Sequence, residues 1–193
     1  MSEAFLSPGG LATLSCMLEV VAPKPGNVHR SADFEDVTLV DFATSAVVLG
    51  NAIDRLPEAG VGETVLQAVS ANSQIVGTNT NLGIILLLVP LAKLVALDSA
   101  VRLSPDRISS FLSGLSNEDG VKIYEAIRLA HPGGLGTSQE LDVLAPARDS
   151  VDLMEAMELA RDRDLIARQY SDGFQLLFEI AIPLIEKGRS LLG

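Results

Sequence analysis

Apolar residues recur at three- and four-residue spacing along most of this chain, and no stretch of strand length alternates apolar with polar residues. That period is the helical one, so the chain is predicted to be all-α. At 193 residues and 48% hydrophobic content it is long enough to bury one core, and residues 1–193 read as a single-domain, multi-helix bundle. Start signals divide it. Ser7-Pro8 is an N-cap with proline at the first helical position, followed by a face of Leu11, Leu14, Leu18 and Val21 that ends at Ala22-Pro23. Thr38 and Asp41 resemble a capping box for a second helix carrying Leu39, Phe42, Ala46, Val47 and Leu49 toward Ile53. A third helix is predicted around Glu63 to Ile75. The Leu82 to Leu97 run, apolar nearly all round, is predicted to be the central helix of the bundle. Ser104-Pro105 opens another helix, Asn117 is expected to cap the next, and helical patterns resume after about Ser150.

Charge and cysteine usage narrow the function classes. Fourteen Lys and Arg against 25 Asp and Glu leave a net charge of -11, which repels a nucleic-acid backbone, so no nucleic-acid partner is expected. An acidic protein that takes a polyphosphate needs local Lys, Arg and backbone N–H groups or a bridging divalent cation, which makes Mg²⁺ a candidate. The single cysteine, Cys16, excludes an intramolecular disulfide and a Cys-rich zinc site, and among Leu14, Met17 and Leu18 it reads as a buried structural thiol. The N-terminus lacks secretory features, and the Leu82 run is shorter than the roughly 20 residues that span a bilayer and is interrupted by Pro90 and Lys93, so a cytoplasmic protein without a membrane partner is expected. The tail from Leu176 to Leu192 is as suited to covering a partner subunit as its own core, leaving a homo-oligomer open.

Two stretches hold residues that helix packing does not require. In Ala22 to Asp36, Pro23-Lys24-Pro25-Gly26-Asn27 places a cation between two φ-fixing prolines, ahead of a glycine that permits close backbone approach to a ligand. That suits phosphate. The same residues suit a helix C-terminus, with Lys24 complementing the dipole. In Gly77 to Gly83, Asn79-Thr80-Asn81 collects amides and a hydroxyl where a long helix begins, which is an anion-binding arrangement or an N-cap with surplus amides. Among the carboxylates Glu19 stands out, because it interrupts a largely apolar helix just before the first polar stretch. Asp36 competes between a chemical role and the N-terminal dipole of the second helix. His29 and His131 lack metal-ligand spacing, and P-loop, dinucleotide-binding and nucleophile-elbow signatures are missing.

Glu19, then Pro23-Lys24-Pro25-Gly26-Asn27, then Asp36, then Asn79-Thr80-Asn81-Leu82-Gly83 together resemble the triphosphoribosyl-dephospho-CoA synthase family. The Gly133 to Val143 stretch and the Arg163 to Phe178 segment are similar to its shorter, archaeal-type branch, so the resemblance covers most of the chain. It implies an all-α, Mg²⁺-dependent enzyme that takes ATP and 3′-dephospho-CoA, releases adenine and joins the triphosphoribosyl group to a ribose hydroxyl, giving a prosthetic-group precursor. By the same resemblance Lys24, Asn27, Asn79, Thr80 and Asn81 are expected to contact substrate and Gly26 and Gly83 to let it approach the backbone. Glu19 and Asp36 are expected to be the catalytic carboxylates, with Glu19, Asp36 and Asp142 as metal ligands. Asn81 and Phe34 stand where citrate-lyase members usually carry histidines. Two other readings follow from that difference: a related phosphoribosyl-type transferase with another acceptor, and a non-catalytic nucleotide- or CoA-binding helical protein.

Overall fold

The computed structural model describes residues 6–23, 28, 37–130 and 150–191. Among them are nine α-helices and no strand: α1 (Pro8–Val21), α2 (Leu39–Asp54), α3 (Val61–Val76), α4 (Leu82–Leu97), α5 (Pro105–Ser113), α6 (Asn117–Ala130), α7 (Leu153–Ala160), α8 (Leu165–Ser171) and α9 (Ile182–Leu191). A 3-10 turn, Leu56–Glu58, joins α2 to α3, and a π-helical turn, Leu177–Ala181, leads into α9.

The helices begin where their first turns find acceptors. Ser7 Oγ accepts from Gly10 N at 3.0 Å, and Thr38 and Asp41 form the reciprocal capping box. Ser104, Asp152 and Asp164 cap α5, α7 and α8 through their side chains. The cap of α6 is Ser116 and not Asn117: Ser116 Oγ accepts from Asp119 N at 3.1 Å, and Asp119 Oδ2 accepts from Ser116 N at 3.1 Å. Ser116 has an acidic residue three positions on, Asp119, and so closes the box, whereas Asn117 has Gly120 at that spacing.

The first helix buries a different face from the expected one. Gly9, Ala12, Cys16 and Val20 face inward, while Leu11, Leu14 and Leu18 are 53%, 46% and 60% exposed. The cause is close packing of α1 on α2. A Cβ at Gly50 would lie 2.7 Å from Gly9 O, so only small residues fit at this crossing, and the leucines lie off it. Asp54, at the end of α2, locks the pair by accepting from Gly9 N at 2.8 Å and Ser7 Oγ at 2.9 Å, a carboxylate at the positive end of α1. The two helices are therefore antiparallel. In α2, Ala46, Leu49 and Ile53 are buried as expected, whereas Val47 is exposed.

A similar device sets α3 beside α6. Asp119 Oδ1 accepts from Gly62 N at 2.8 Å, and a Cβ at Gly62 would lie 2.6 Å from the Asp119 backbone. Their N-termini meet, so α3 and α6 run in the same direction. Gly77, at φ 79°, ends α3 in the left-handed conformation that glycine adopts without a Cβ clash. The chain then reverses into α4.

Helix α4 lies against α1, α2, α3, α5, α8 and the Leu56–Glu58 turn. Leu82, Ile85, Leu86, Val89 and Pro90 are buried, but Val95 and Leu97 are exposed, so its apolar character is used over its N-terminal half and less at its end. Lys93 turns its Nζ to Leu56 O at 3.0 Å and Ala59 O at 2.7 Å, using the cation to hold carbonyls of the 3-10 turn. Pro90 has no N–H to give to Leu86 O, four residues back. Tyr170 Oη supplies the missing donor at 2.7 Å, and this fastens α8 across α4. Tyr170 is fully buried, which pushes its hydroxyl pKa up and keeps it a neutral donor.

Candidate functional site

One end of the bundle collects the chain's polar connections. Because α1 and α2 are antiparallel, the C-terminal turn of α1, carrying Glu19, lies beside the N-terminus of α2. The C-terminus of α3 and the N-terminus of α4 reach the same end, because residues from all three neighbouring elements meet in one hydrogen-bonded ring. Asn72 of α3 donates from Nδ2 to Thr80 Oγ1 at 3.1 Å and to Thr78 O at 3.3 Å. Its Oδ1 accepts from Ser45 Oγ of α2, and Ser45 Oγ and Thr80 Oγ1 share a hydrogen bond that closes the ring. Ser45 is six residues inside α2, or about 9 Å from its first residue at the helical rise. The ring thus ties the helix that follows the Ala22–Asp36 stretch to the Gly77–Asn81 turn. Val28, within that stretch, is completely buried.

A cleft of about 350 Å³ opens beside the ring, a size within the range of small-molecule sites. Asn72 and Ser73 of α3, Thr78 and Asn79 of the turn, Leu82 and Ile85 of α4, and Leu129 and Ala130 of α6 line it. One wall is apolar and the other carries amides and hydroxyls. Ala130, which lines the cleft, is the last residue of α6.

The three polar residues that open α4 have distinct situations. Asn79 is exposed at the cleft, and its Oδ1 accepts from Leu82 N at 3.2 Å, so it supplies the side-chain cap of α4. Its Nδ2 has no partner among the described residues. Thr80 is held by Ser45 and Asn72. Asn81 occupies the N-cap position but makes no capping bond with its side chain. It is 3% exposed, and its buried Nδ2 has no acceptor among the described residues, an arrangement that costs about 1–3 kcal/mol where a buried donor stays unpaired. Gly83 faces α8, where a Cβ would meet the Ile166 side chain at 3.4 Å.

Glu19 is half-buried one turn from the end of α1. Lys24, Gly26, Asn27, Asp36 and Asp142 lie outside the described residues. Among the described residues no group of three His, Cys, Asp or Glu side chains gathers as a metal site, and of the three candidate metal carboxylates only Glu19 falls among them. Sequence reasoning passed over Ser45 and Asn72. Their signal was a polar residue within a helical apolar pattern, which alone does not distinguish a buried hydrogen-bonded group from a solvated one.

No helix among the described residues is long and apolar enough to cross a membrane. No curated protein and no solved structure matches the chain. A family model does match it, the CitG family, ATP:dephospho-CoA triphosphoribosyl transferase, over residues 6–191. That match runs from the turn before α1 to the last residue of α9 and takes in both polar stretches, so the chain belongs to this family of transferases, which move the triphosphoribosyl group of ATP to dephospho-CoA with release of adenine.

Proposed function

We propose that the transfer takes place at the end of the bundle where the polar connections gather, with ATP seated against the N-terminus of α4. The unpartnered, buried Nδ2 of Asn81 carries this reading: a donor kept without an acceptor at the positive end of a 16-residue helix suits an anionic substrate group. Asn79 adds an outward-facing Nδ2, and Lys24, Gly26 and Asn27, in the connection leaving α1, supply a cation and close backbone approach to the same triphosphate. Gly83 completes the set of residues assigned to substrate contact, and Thr80, in the same turn, belongs to the site through its bonds to Ser45 and Asn72.

In the reaction the bond between C1′ of the ATP ribose and the adenine nitrogen breaks as a dephospho-CoA ribose hydroxyl oxygen bonds to C1′. The hydroxyl gives up its proton, and adenine leaves with the electron pair of the broken bond. A carboxylate near C1′ stabilises the positive charge that develops there, or takes the hydroxyl proton, and Glu19 and Asp36 are assigned these roles. Glu19 fits because it lies at the end of α1 that faces this region and is half-buried. Mg²⁺, held by Glu19, Asp36 and Asp142, would neutralise triphosphate charge. The lone buried thiol supports a reducing, cytoplasmic setting. Exposed Ile180, Leu184 and Ile185 on the last turns support a homo-oligomer formed through α9.

The test is free adenine, measured by chromatography after incubation with ATP, Mg²⁺ and 3′-dephospho-CoA. Asn79→Ala and Lys24→Ala should each abolish it with the helical circular-dichroism spectrum unchanged, and EDTA should do the same reversibly. Undiminished adenine in both variants overturns the site. Elution mass of wild type against Leu184→Glu tests the oligomer, and a wild-type monomer rejects it.

A further inference from the structure

We infer that Ser45, Asn72 and Thr80 act together as a positioning unit for the substrate-binding turn, so that Thr80 serves the reaction through its place in the ring and not by touching substrate. The inference rests on the site proposed above. Hydrogen-bond capacity carries it. A threonine hydroxyl has one proton and two lone pairs; Thr80 Oγ1 accepts from Asn72 Nδ2 and shares a bond with Ser45 Oγ, and where it is the donor in that bond no proton is left for an anionic substrate. Both Nδ2 protons of Asn72 are engaged, one on Thr80 Oγ1 and one on Thr78 O, and its Oδ1 is engaged by Ser45. Asn72 is 5% exposed, and it lines the cleft with its polar atoms already bonded.

With the single Ser45 proton on Asn72 Oδ1 and not on Asp41 O, which lies 2.9 Å from the same oxygen, the ring runs in one direction: Thr80 Oγ1 donates to Ser45 Oγ, Ser45 Oγ to Asn72 Oδ1, and Asn72 Nδ2 back to Thr80 Oγ1. Each member then both gives and receives, and a closed buried network of this kind fixes orientation more firmly than separate pairs. What it fixes is the turn. Thr78 and Thr80 flank Asn79, so holding both in place directs the Asn79 amide and sets where the first turn of α4 begins. Breaking any one edge releases the same turn, which makes the three residues equivalent in effect although they lie on α2, α3 and the loop.

The experiment is a double-mutant cycle on kcat/KM for ATP, with Ser45→Ala, Thr80→Val and the pair, plus Thr80→Ser, each assayed well below its melting temperature. Loss of alignment is expected to lower kcat/KM by about tenfold or more in either single variant, with the pair no worse than the singles, while Thr80→Ser stays close to wild type. A loss in Thr80→Val with full activity in Ser45→Ala means that the Thr80 hydroxyl touches substrate and overturns the inference. Amide hydrogen exchange on the substrate-free protein supplies a reading that needs no catalysis: Thr78 to Leu82 should exchange faster in Ser45→Ala, with the rest of α3 and α4 unchanged. Unchanged exchange in that turn overturns the positioning role even if activity falls. A wild type that makes no adenine overturns the site assignment instead, and the exchange result then decides the ring by itself.

Discussion

Removing the hydroxyl of Tyr170 isolates one consequence of placing proline inside α4. Leu86 O is buried and has no helical donor, because Pro90 lacks an N–H, and its bond from Tyr170 Oη at 2.7 Å replaces the helical one. Tyr170→Phe keeps the ring, its packing 6.0 Å from the Phe174 ring and nearly all its volume, and removes only the donor. Leaving a buried carbonyl unpaired costs about 1–3 kcal/mol, which for a chain of this size lowers the melting temperature by about 2–4 °C per kcal/mol. Pro90→Ala gives Leu86 O its helical donor back. In that background Tyr170→Phe should cost about 1 kcal/mol or less, so the two sites should couple by about 1–2 kcal/mol. Urea denaturation of the wild type, the two single variants and the pair measures this directly, and the change in helix propensity from Pro90→Ala cancels in the cycle. Equal costs for Tyr170→Phe in both backgrounds would refute the account, since the tyrosine would then be stabilising something other than the carbonyl that proline leaves free.

Gly50→Ala should destabilise by about 1–3 kcal/mol in the same denaturation assay, because the new Cβ meets backbone at Gly9 and α1 must move off α2; a neutral effect would mean the crossing is loose. Burial raises the carboxyl pKa of Asp119, but the N–H of Gly62, the groups of Ser116 and the Lys122 charge outweigh it and hold the value below the usual range. Since the folded value is depressed, this stabilisation is complete above the unfolded pKa near about 4 and is lost as pH falls through the folded value, so the stability gap between wild type and Asp119→Asn should be flat near neutrality and close in acid. A gap that widens in acid has the wrong sign. Burial, with help from Glu19, pushes the Cys16 thiol up to about 11, so iodoacetamide at pH 8 should label it only at the rate of unfolding, and prompt labelling would contradict its burial.

The elements were legible because their ends are local. Ser7-Pro8, Thr38 with Asp41, and Ser104-Pro105 each fix a start by reaching three residues along the same chain, and each begins a helix where the sequence places it. Faces were harder. Leu11, Leu14 and Leu18 share a stripe at the right spacing, yet the buried side of α1 is the one whose small residues let Gly9 approach Gly50, and that pairing spans 41 positions of sequence. Hydrophobic spacing identifies an apolar stripe but carries no information on how closely a neighbour can come. The site divides the same way. Asn79, Thr80 and Asn81 announce themselves as surplus amides and a hydroxyl before an apolar helix, whereas Ser45 and Asn72 become a ring only after α2 and α3 are packed. Sequence also gives three neighbouring polar residues equal weight, while packing separates a cap, a ring member and a buried unpaired amide.

The electrostatics of the proposed site bear on how so acidic a chain would receive a triphosphate there. With a net charge of -11, long-range steering works against an anionic substrate, so binding has to come from short-range contacts. No charged side chain lines the cleft among the described residues, and what faces it are amides, hydroxyls and the first turn of α4. Neutral dipoles of this kind bind an anion without the pull that a lysine cluster exerts on every polyanion, and they do so only where they are held in place, since a misdirected amide contributes little. Fixed orientation therefore matters more here than in a basic site. In the site proposed above, the ring that holds the turn, the cap that Asn79 gives to Leu82 and the buried amide of Asn81 belong to one design, in which ordered dipoles work beside the positive charge assigned to Lys24 and Mg²⁺.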